Sequence, residues 1–88
     1  MENNKNLIIK KILYRSKYRG CKETDFLLGN FFEKEQQNIE NFGLELCQDF
    51  LNEDDMMIYD WILDKAEFPS KYHQLILKIR KFSDIKIS

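Results

Sequence analysis

The sequence predicts an all-α protein, a compact five-helix antiparallel bundle that forms a single domain over residues 1–88. Two observations support this prediction. Apolar side chains recur every three or four positions in five successive segments, which is the spacing of one helix face. The connections between these segments are short, as in a bundle of antiparallel helices. We expect helices at about residues 7–18, 24–37, 41–52, 55–65 and 70–82.

A glycine turn separates the first two predicted helices. Glycine enters the left-handed backbone conformation without a steric cost, so the first helix should end at Gly20. The apolar face of the second helix consists of Leu27, Leu28, Phe31 and Phe32. Gly29 lies inside this helix and costs about 1 kcal/mol relative to alanine, which indicates either close backbone packing or a tolerated defect.

The three remaining helices follow in the acidic and C-terminal parts of the chain. A polar connection at residues 38–41 leads into the third helix, in which Cys47 is expected in the core. Asp54 or Asp55 can cap the fourth helix, Pro69 ends that region, and Ser70 is predicted to cap the fifth. The apolar stripe of the fifth helix is Tyr72, Leu75, Ile76, Ile79 and Phe82.

Charge is distributed unevenly along the chain. Residues 1–22 carry a net charge of +6, residues 23–67 carry −11 and residues 68–88 carry +4. This pattern favours packing between complementary segments as readily as binding to a charged partner. A sequence pI of about 5.8 argues against a nucleic-acid partner.

Several classes of site and of location are disfavoured. Cys21 and Cys47 stand 26 positions apart, and with His73 they lack the local spacing of a metal site. The sequence has no nucleophile, base and acid set typical of an enzyme, so His73 is expected to be exposed or partly packed. We expect no membrane insertion, because no apolar run approaches about 18 residues. The first eleven residues resemble neither a secretory signal nor a transit peptide, so a cytoplasmic location is expected.

The turn after the first helix is the strongest candidate for a binding site. Residues 19–23 place a cation, Arg19, a flexible glycine, Gly20, and an anion, Glu23, between two amphipathic helices. This combination is typical of a docking surface. Alternatively, Arg19 and Glu23 pair across the turn in an exposed ion pair worth about 0 to 1 kcal/mol. From the turn alone the two interpretations are equally acceptable.

Three sequence elements together resemble the flavinator family, the SdhE-type succinate dehydrogenase assembly factors. The elements are Tyr18-Arg19-Gly20-Cys21-Lys22-Glu23, then Phe32-Glu33-Lys34-Glu35, then Tyr59-Asp60-Trp61. The family is marked by an RGxxE motif between its first two helices, by an aromatic-x-x-Glu element ending the second helix, and by a tryptophan in the fourth. All three occur here in order, and the resemblance covers nearly the whole chain.

The resemblance implies a monomeric assembly factor that is not an enzyme. Such a factor binds the flavoprotein subunit of succinate dehydrogenase, or of the similar fumarate reductase, and promotes covalent attachment of FAD. The chain itself would bind no cofactor stably, since the FAD belongs to the client subunit. The residues that the resemblance assigns to partner binding are Arg19, Gly20, Glu23, Tyr18, Asp25 and Glu35.

Within this set the resemblance implies different roles. Arg19 and Glu23 would contact the partner close to the client's FAD, and Tyr18 and Asp25 would be contacts at the rim. Glu35 would either brace the turn or face the partner. Phe32 is expected in the core, and Trp61 either anchors the core or presents an edge to the client.

Two rival functions also fit a small helical protein. One is an unrelated helical interaction module, such as an antitoxin-like protein that neutralises a partner through the same surface. The other is a small helix-turn-helix nucleic-acid binder that uses the basic first helix, whose binding would weaken steeply with added salt.

Overall fold

Six α-helices and two short 3₁₀ turns make up the computed structural model, which describes residues 4–87 and the side chains as far as residue 83. The helices are α1 (Asn4–Lys17), α2 (Lys22–Lys34), α3 (Ile39–Phe42), α4 (Leu44–Leu51), α5 (Asp55–Ile62) and α6 (His73–Ile87). The 3₁₀ turns are Gln36–Asn38 and Ser70–Tyr72. Residues 4–87 contain no strand, so the predicted all-α class is confirmed, although the helices number six and not five.

Helices α1 and α2 form a hairpin, and α1 also packs against α4. Gly29 explains the close approach within the hairpin. A Cβ atom at Gly29 would stand 3.0 Å from Cγ of Lys17 and 3.5 Å from its Cα. Of the two explanations for this glycine, close packing therefore applies.

The predicted third helix over 41–52 is wrong, because the chain turns sharply within it. Gly43 has φ of 104°, a conformation that helices do not contain and that glycine adopts without strain. It ends α3 and begins α4. The segment at 38–41 is likewise not a simple polar connection, since Ile39 is fully buried in the core.

The other helix boundaries differ from the predicted ones at their ends. α2 stops at Lys34 and α5 at Ile62, both about three residues earlier than expected. Asp54 caps α5, since its carboxylate accepts hydrogen bonds from the backbone N–H groups of Met56 and Met57. The predicted cap at Ser70 is wrong, because Ser70 lies inside a 3₁₀ turn and its side chain caps nothing.

The core contains residues from all five predicted apolar segments, and it includes a cluster of aromatic rings. Phe50, Trp61 and Tyr72 pack with ring centroids 5.2 to 6.3 Å apart. Trp61 is 2% exposed, so it anchors the core and shows no edge to a partner. Phe32 and Cys47 are fully buried, as expected. No described helix is both long and apolar enough to cross a membrane.

Candidate functional site

Residues 18–25, which comprise the connection between α1 and α2 and the first turn of α2, form an exposed corner of the molecule. Gly20 is exposed and has φ of 99°, and a Cβ atom placed on it would meet nothing within 4 Å. Lys22 and Glu23 are also exposed, and Cys21 is half-buried. The backbone at Gly20 is therefore open to close approach by another molecule. We call residues 18–25 the corner.

The side chain of Arg19 points into the molecule from this corner. It is 8% exposed, and its Nε donates to Oδ1 of Asp55. Its two terminal nitrogens donate to the carbonyl oxygens of Leu51 at 2.6 Å and Glu53 at 2.8 Å. The guanidinium thus satisfies the carbonyl of Leu51, which as the last residue of α4 has no helical partner, and the carbonyl of Glu53 in the loop that follows.

This arrangement changes the interpretation of Arg19. The pairing of Arg19 with Glu23 across the turn does not form, since the arginine pairs with Asp55. An outward-facing guanidinium offered to a partner is not observed either, because three of its N–H groups are used inside the chain. Arg19 fastens the corner to the α4–α5 loop, residues 52–54.

Asp25 braces the corner from the other side. Its Oδ1 accepts a hydrogen bond of 2.7 Å from the backbone N–H of Arg19. The carboxylate thereby satisfies a backbone donor at the end of α1 and fixes the path of the chain into Gly20. Glu23 is different, because its carboxylate is exposed and its contact within the chain is a weak one, from Sγ of Cys21 at 3.5 Å. Glu23 is therefore the acidic side chain that the corner presents outward.

Exposed aromatic rings flank the corner. Tyr18 and Tyr14 are 68% and 66% exposed, and their ring centroids lie 4.8 Å apart. Phe26 is 66% exposed on the first turns of α2. Tyr14 and Phe26 were missed in the sequence analysis, although each stands among charged residues on the polar face of its predicted helix. A large aromatic side chain on the polar face of a predicted helix is the signal that could have identified both residues.

Tyr18 lies between two open grooves. The first has a volume of about 370 Å³ and runs between α1 and the α4–α5 loop, with Tyr14, Arg15 and Asn52 on its walls. The second has a volume of about 560 Å³ and runs between α1 and α2, with Lys22 and Phe26 on its walls. A partner that reaches the corner can therefore contact Tyr18 from either groove.

Glu35 does not belong to the corner. It follows the last residue of α2, twelve residues after Glu23, which is about 18 Å along a helix. Its Oε1 accepts a hydrogen bond of 2.8 Å from the side chain of Asn38. The expectation that Glu35 braces the α1–α2 turn is wrong, because it supports the connection at the opposite end of α2.

The α4–α5 loop that holds Arg19 is itself fixed by the core. The hydroxyl of Tyr72 donates to Oε2 of Glu53 at 2.7 Å. Burial raises the pKa of Tyr72, and the hydrogen bond to Glu53 raises this pKa further. Glu53 thus holds both contacts: its carboxylate binds Tyr72 and its carbonyl binds Arg19.

Cys47 and His73 belong to no cluster of potential metal ligands among the described residues. Burial raises the pKa of the Cys47 thiol to about 12, so this thiol stays protonated at neutral pH. His73 is exposed, and its ring contacts Phe68 with centroids 6.1 Å apart. Over the described part of the chain, no three His, Cys, Asp or Glu residues come together as metal ligands.

Comparison with known proteins gives consistent matches. The profile of the family described as "Flavinator of succinate dehydrogenase" matches residues 10–83. "FAD assembly factor SdhE" of Coxiella burnetii is 31% identical over 81 residues, which cover 91% of this chain and 98% of that protein. "Succinate dehydrogenase assembly factor 2, mitochondrial" of Dictyostelium discoideum is 39% identical over 70 residues, 80% of this chain and 50% of that protein.

The mitochondrial relatives are longer than this chain. The Arabidopsis thaliana protein of the same name is 32% identical over 68 residues, 77% of this chain but 36% of its own length. The chain therefore spans half or less of the length of these two mitochondrial relatives, and nearly all of the bacterial one. No solved structure matches the chain.

Proposed function

Because this chain belongs to the flavinator of succinate dehydrogenase family, we propose that it binds the flavoprotein subunit of succinate dehydrogenase and promotes covalent attachment of FAD to that subunit. The observation that carries the proposal is the exposed corner. At Gly20 a partner backbone can approach without meeting a side chain, and the carboxylate of Glu23 beside it is free to accept hydrogen bonds.

In this proposal the chain acts by holding its client in one conformation. A factor that binds one conformation of the client more tightly than others shifts the client toward it, and the client's own groups then react. We therefore propose that the chain is not an enzyme and binds no FAD stably by itself.

The residues of the corner divide between direct contact and support. Gly20, Glu23 and Tyr18 are the contact residues, with Glu23 the group that would lie near the client's FAD. Arg19 and Asp25 support the corner from within, since their polar atoms already bind partners inside the chain. Glu35 contacts the client only if the interface extends along the whole of α2.

Three further points belong to the same proposal. We include the flavoprotein subunit of fumarate reductase as a second client, and we propose that the chain acts as a monomer. Relatives include a bacterial protein and mitochondrial ones, so the cytoplasmic location stays a prediction. Fractionation of cells that express the chain would test it.

The experiment is co-expression of the flavoprotein subunit with this chain, scored by the fluorescence of covalently bound flavin in a denaturing gel. Gly20→Arg and Gly20→Ala form a matched pair. Both place a Cβ at a φ of 99° and share a backbone strain of about 1 to 2 kcal/mol. Arginine alone adds a bulky side chain over the open backbone.

We expect flavin fluorescence with the unmodified chain, a moderate loss with Gly20→Ala and a nearly complete loss with Gly20→Arg. Circular dichroism of both variants should show the helical content of the unmodified chain. Equal fluorescence with and without the chain would overturn the proposed function. Full fluorescence with Gly20→Arg would instead reject the corner as the docking surface.

A further inference from the structure

The outward face of α1 carries a row of large apolar residues. Leu7, Tyr14 and Tyr18 are 59%, 66% and 68% exposed, and Lys11 stands between them. Their spacing of four, three and four residues places all four side chains on one side of the helix. The buried residues of α1 are Ile12 and Ser16, which lie on the opposite side. We call Leu7, Lys11, Tyr14 and Tyr18 the α1 stripe.

Lysines that form no ion pair with a described residue lie within and beside this stripe. Among the described ion pairs, Lys5 binds Glu40 at 2.5 Å and Lys17 binds Glu33 at 3.3 Å. In contrast, Lys10, Lys11 and Lys22 are exposed and form no ion pair with a described residue. The uncompensated cations of this part of the chain therefore lie beside exposed aromatic rings.

The stripe is continuous with the corner. Tyr18 belongs to both, its ring packs against that of Tyr14 in a tilted arrangement, and it lines a groove together with Lys22 and Phe26. A partner docked at Gly20 would meet the Tyr18 ring first and then the rest of α1. Rigid aromatic rings lose little conformational entropy on binding and are enriched among the residues that dominate protein interfaces.

We propose that the α1 stripe is a second part of the docking surface and binds an acidic surface of the flavoprotein subunit that carries apolar side chains. This inference rests on the proposed function. The lysines complement an acidic partner and speed its association, while the tyrosines and Leu7 supply the area that is removed from water. A nucleic acid fits less well, because Asp25 and Glu33 line the groove beside Tyr18.

The test compares stripe variants with a charge-matched control on another face. Lys10→Glu with Lys11→Glu reverses two charges beside the stripe, and Tyr14→Ser removes one ring. The control is Lys78→Glu with Lys81→Glu on α6, where both lysines are exposed and form no ion pair with a described residue. Binding of each purified variant to the purified flavoprotein subunit is measured by surface plasmon resonance at low and high salt.

We expect the double charge reversal on α1 to weaken binding at least about tenfold at low salt, mainly through slower association, with a smaller effect at high salt. Tyr14→Ser should weaken binding at least about fivefold at both salt concentrations, through faster dissociation. The affinity of the control for the subunit should lie within about twofold of that of the unmodified chain, because α6 lies outside the stripe and the corner.

The outcomes separate this inference from the proposed function. If the unmodified chain binds the flavoprotein subunit and both stripe variants bind it with the same affinity as the unmodified chain, the stripe is not part of the interface and only this inference fails. Equal losses in the double charge reversals on α1 and on α6 would likewise overturn it, because net charge alone, and not a site on α1, would then explain the effect of the lysines. If the unmodified chain does not bind the flavoprotein subunit, the proposed function fails and this inference fails with it. Tighter binding of duplex DNA than of the subunit would also reject the stripe's assignment.

Discussion

Replacement of Arg19 by methionine keeps most of the aliphatic stem and removes the guanidinium. The change breaks the hydrogen bonds to Asp55, Leu51 and Glu53. Loss of one partner of a fully buried ion pair costs about 3 to 5 kcal/mol. The Asp55 side chain is 22% exposed and can partly regain water, so we expect a loss of about 3 kcal/mol in the free energy of unfolding.

The variant should stay folded in the absence of urea, so its loss of stability can be measured. A domain of this length has a free energy of unfolding of about 4 to 13 kcal/mol, so the variant should remain folded but melt about 10 to 20 °C lower. Urea denaturation followed by circular dichroism gives the free energy directly. Arg15→Met is the matched control: Arg15 is exposed, its hydrogen bond to Asn52 is at the surface, and its loss should cost less than about 1 kcal/mol. Equal costs for the two variants would refute the role given to Arg19.

Other predictions concern packing and pH. Gly29→Ala should change the free energy of unfolding by less than about 1 kcal/mol, because the exposed side chain of Lys17 can move aside. Gly29→Val should lower the free energy of unfolding by about 2 kcal/mol. Urea denaturation of both variants would check these values. Ile76 is fully buried, so Ile76→Asp should abolish cooperative thermal unfolding, while Ile76→Val should cost about 1 kcal/mol and keep it. Folding raises the pKa values of Cys47 and Tyr72, so their contribution to stability is complete below the pKa values of the unfolded chain and is lost as the pH rises. For Cys47 the free energy of unfolding should fall by about 1.4 kcal/mol per pH unit between about pH 9 and 12, and urea denaturation of Cys47→Ala should show a flatter decline over that range.

The helical segments could be predicted because their apolar residues repeat at the period of the helix. The first hairpin, the turn at Gly20 and the burial of Phe32 follow from that repeat and from the conformational freedom of glycine. The same reasoning applied to Gly43 would have divided the predicted third helix, since Gly43 has nearly the same φ as Gly20. The pattern of Leu44, Cys47, Phe50 and Leu51 lies entirely after Gly43 and marks α4 alone, so the predicted helix was begun too early, at residue 41.

The inward direction of Arg19 could not be predicted in the same way. Two of its three acceptors are backbone carbonyls that lie 32 and 34 residues further along the chain. Every residue carries a carbonyl, so the sequence gives no sign of which ones are left unpaired near an arginine. Asp55 was correctly placed near the start of a helix, but its pairing with Arg19 depends on how α1 and α4 pack together. The expected role of Glu35 at the α1–α2 turn was wrong for another reason, because the predicted helix over residues 24–37 already placed Glu35 at the end opposite this turn.

Glu53 connects Arg19, a residue of the corner, to Tyr72, which is wholly buried. Random mutagenesis scored by growth on succinate would therefore recover substitutions at Tyr72 alongside those at Gly20. Such hits would suggest an interface larger than the true one, because a buried residue that shifts the loop produces the same phenotype as a lost contact. Purified variants whose binding and thermal stability are compared side by side would distinguish the two groups.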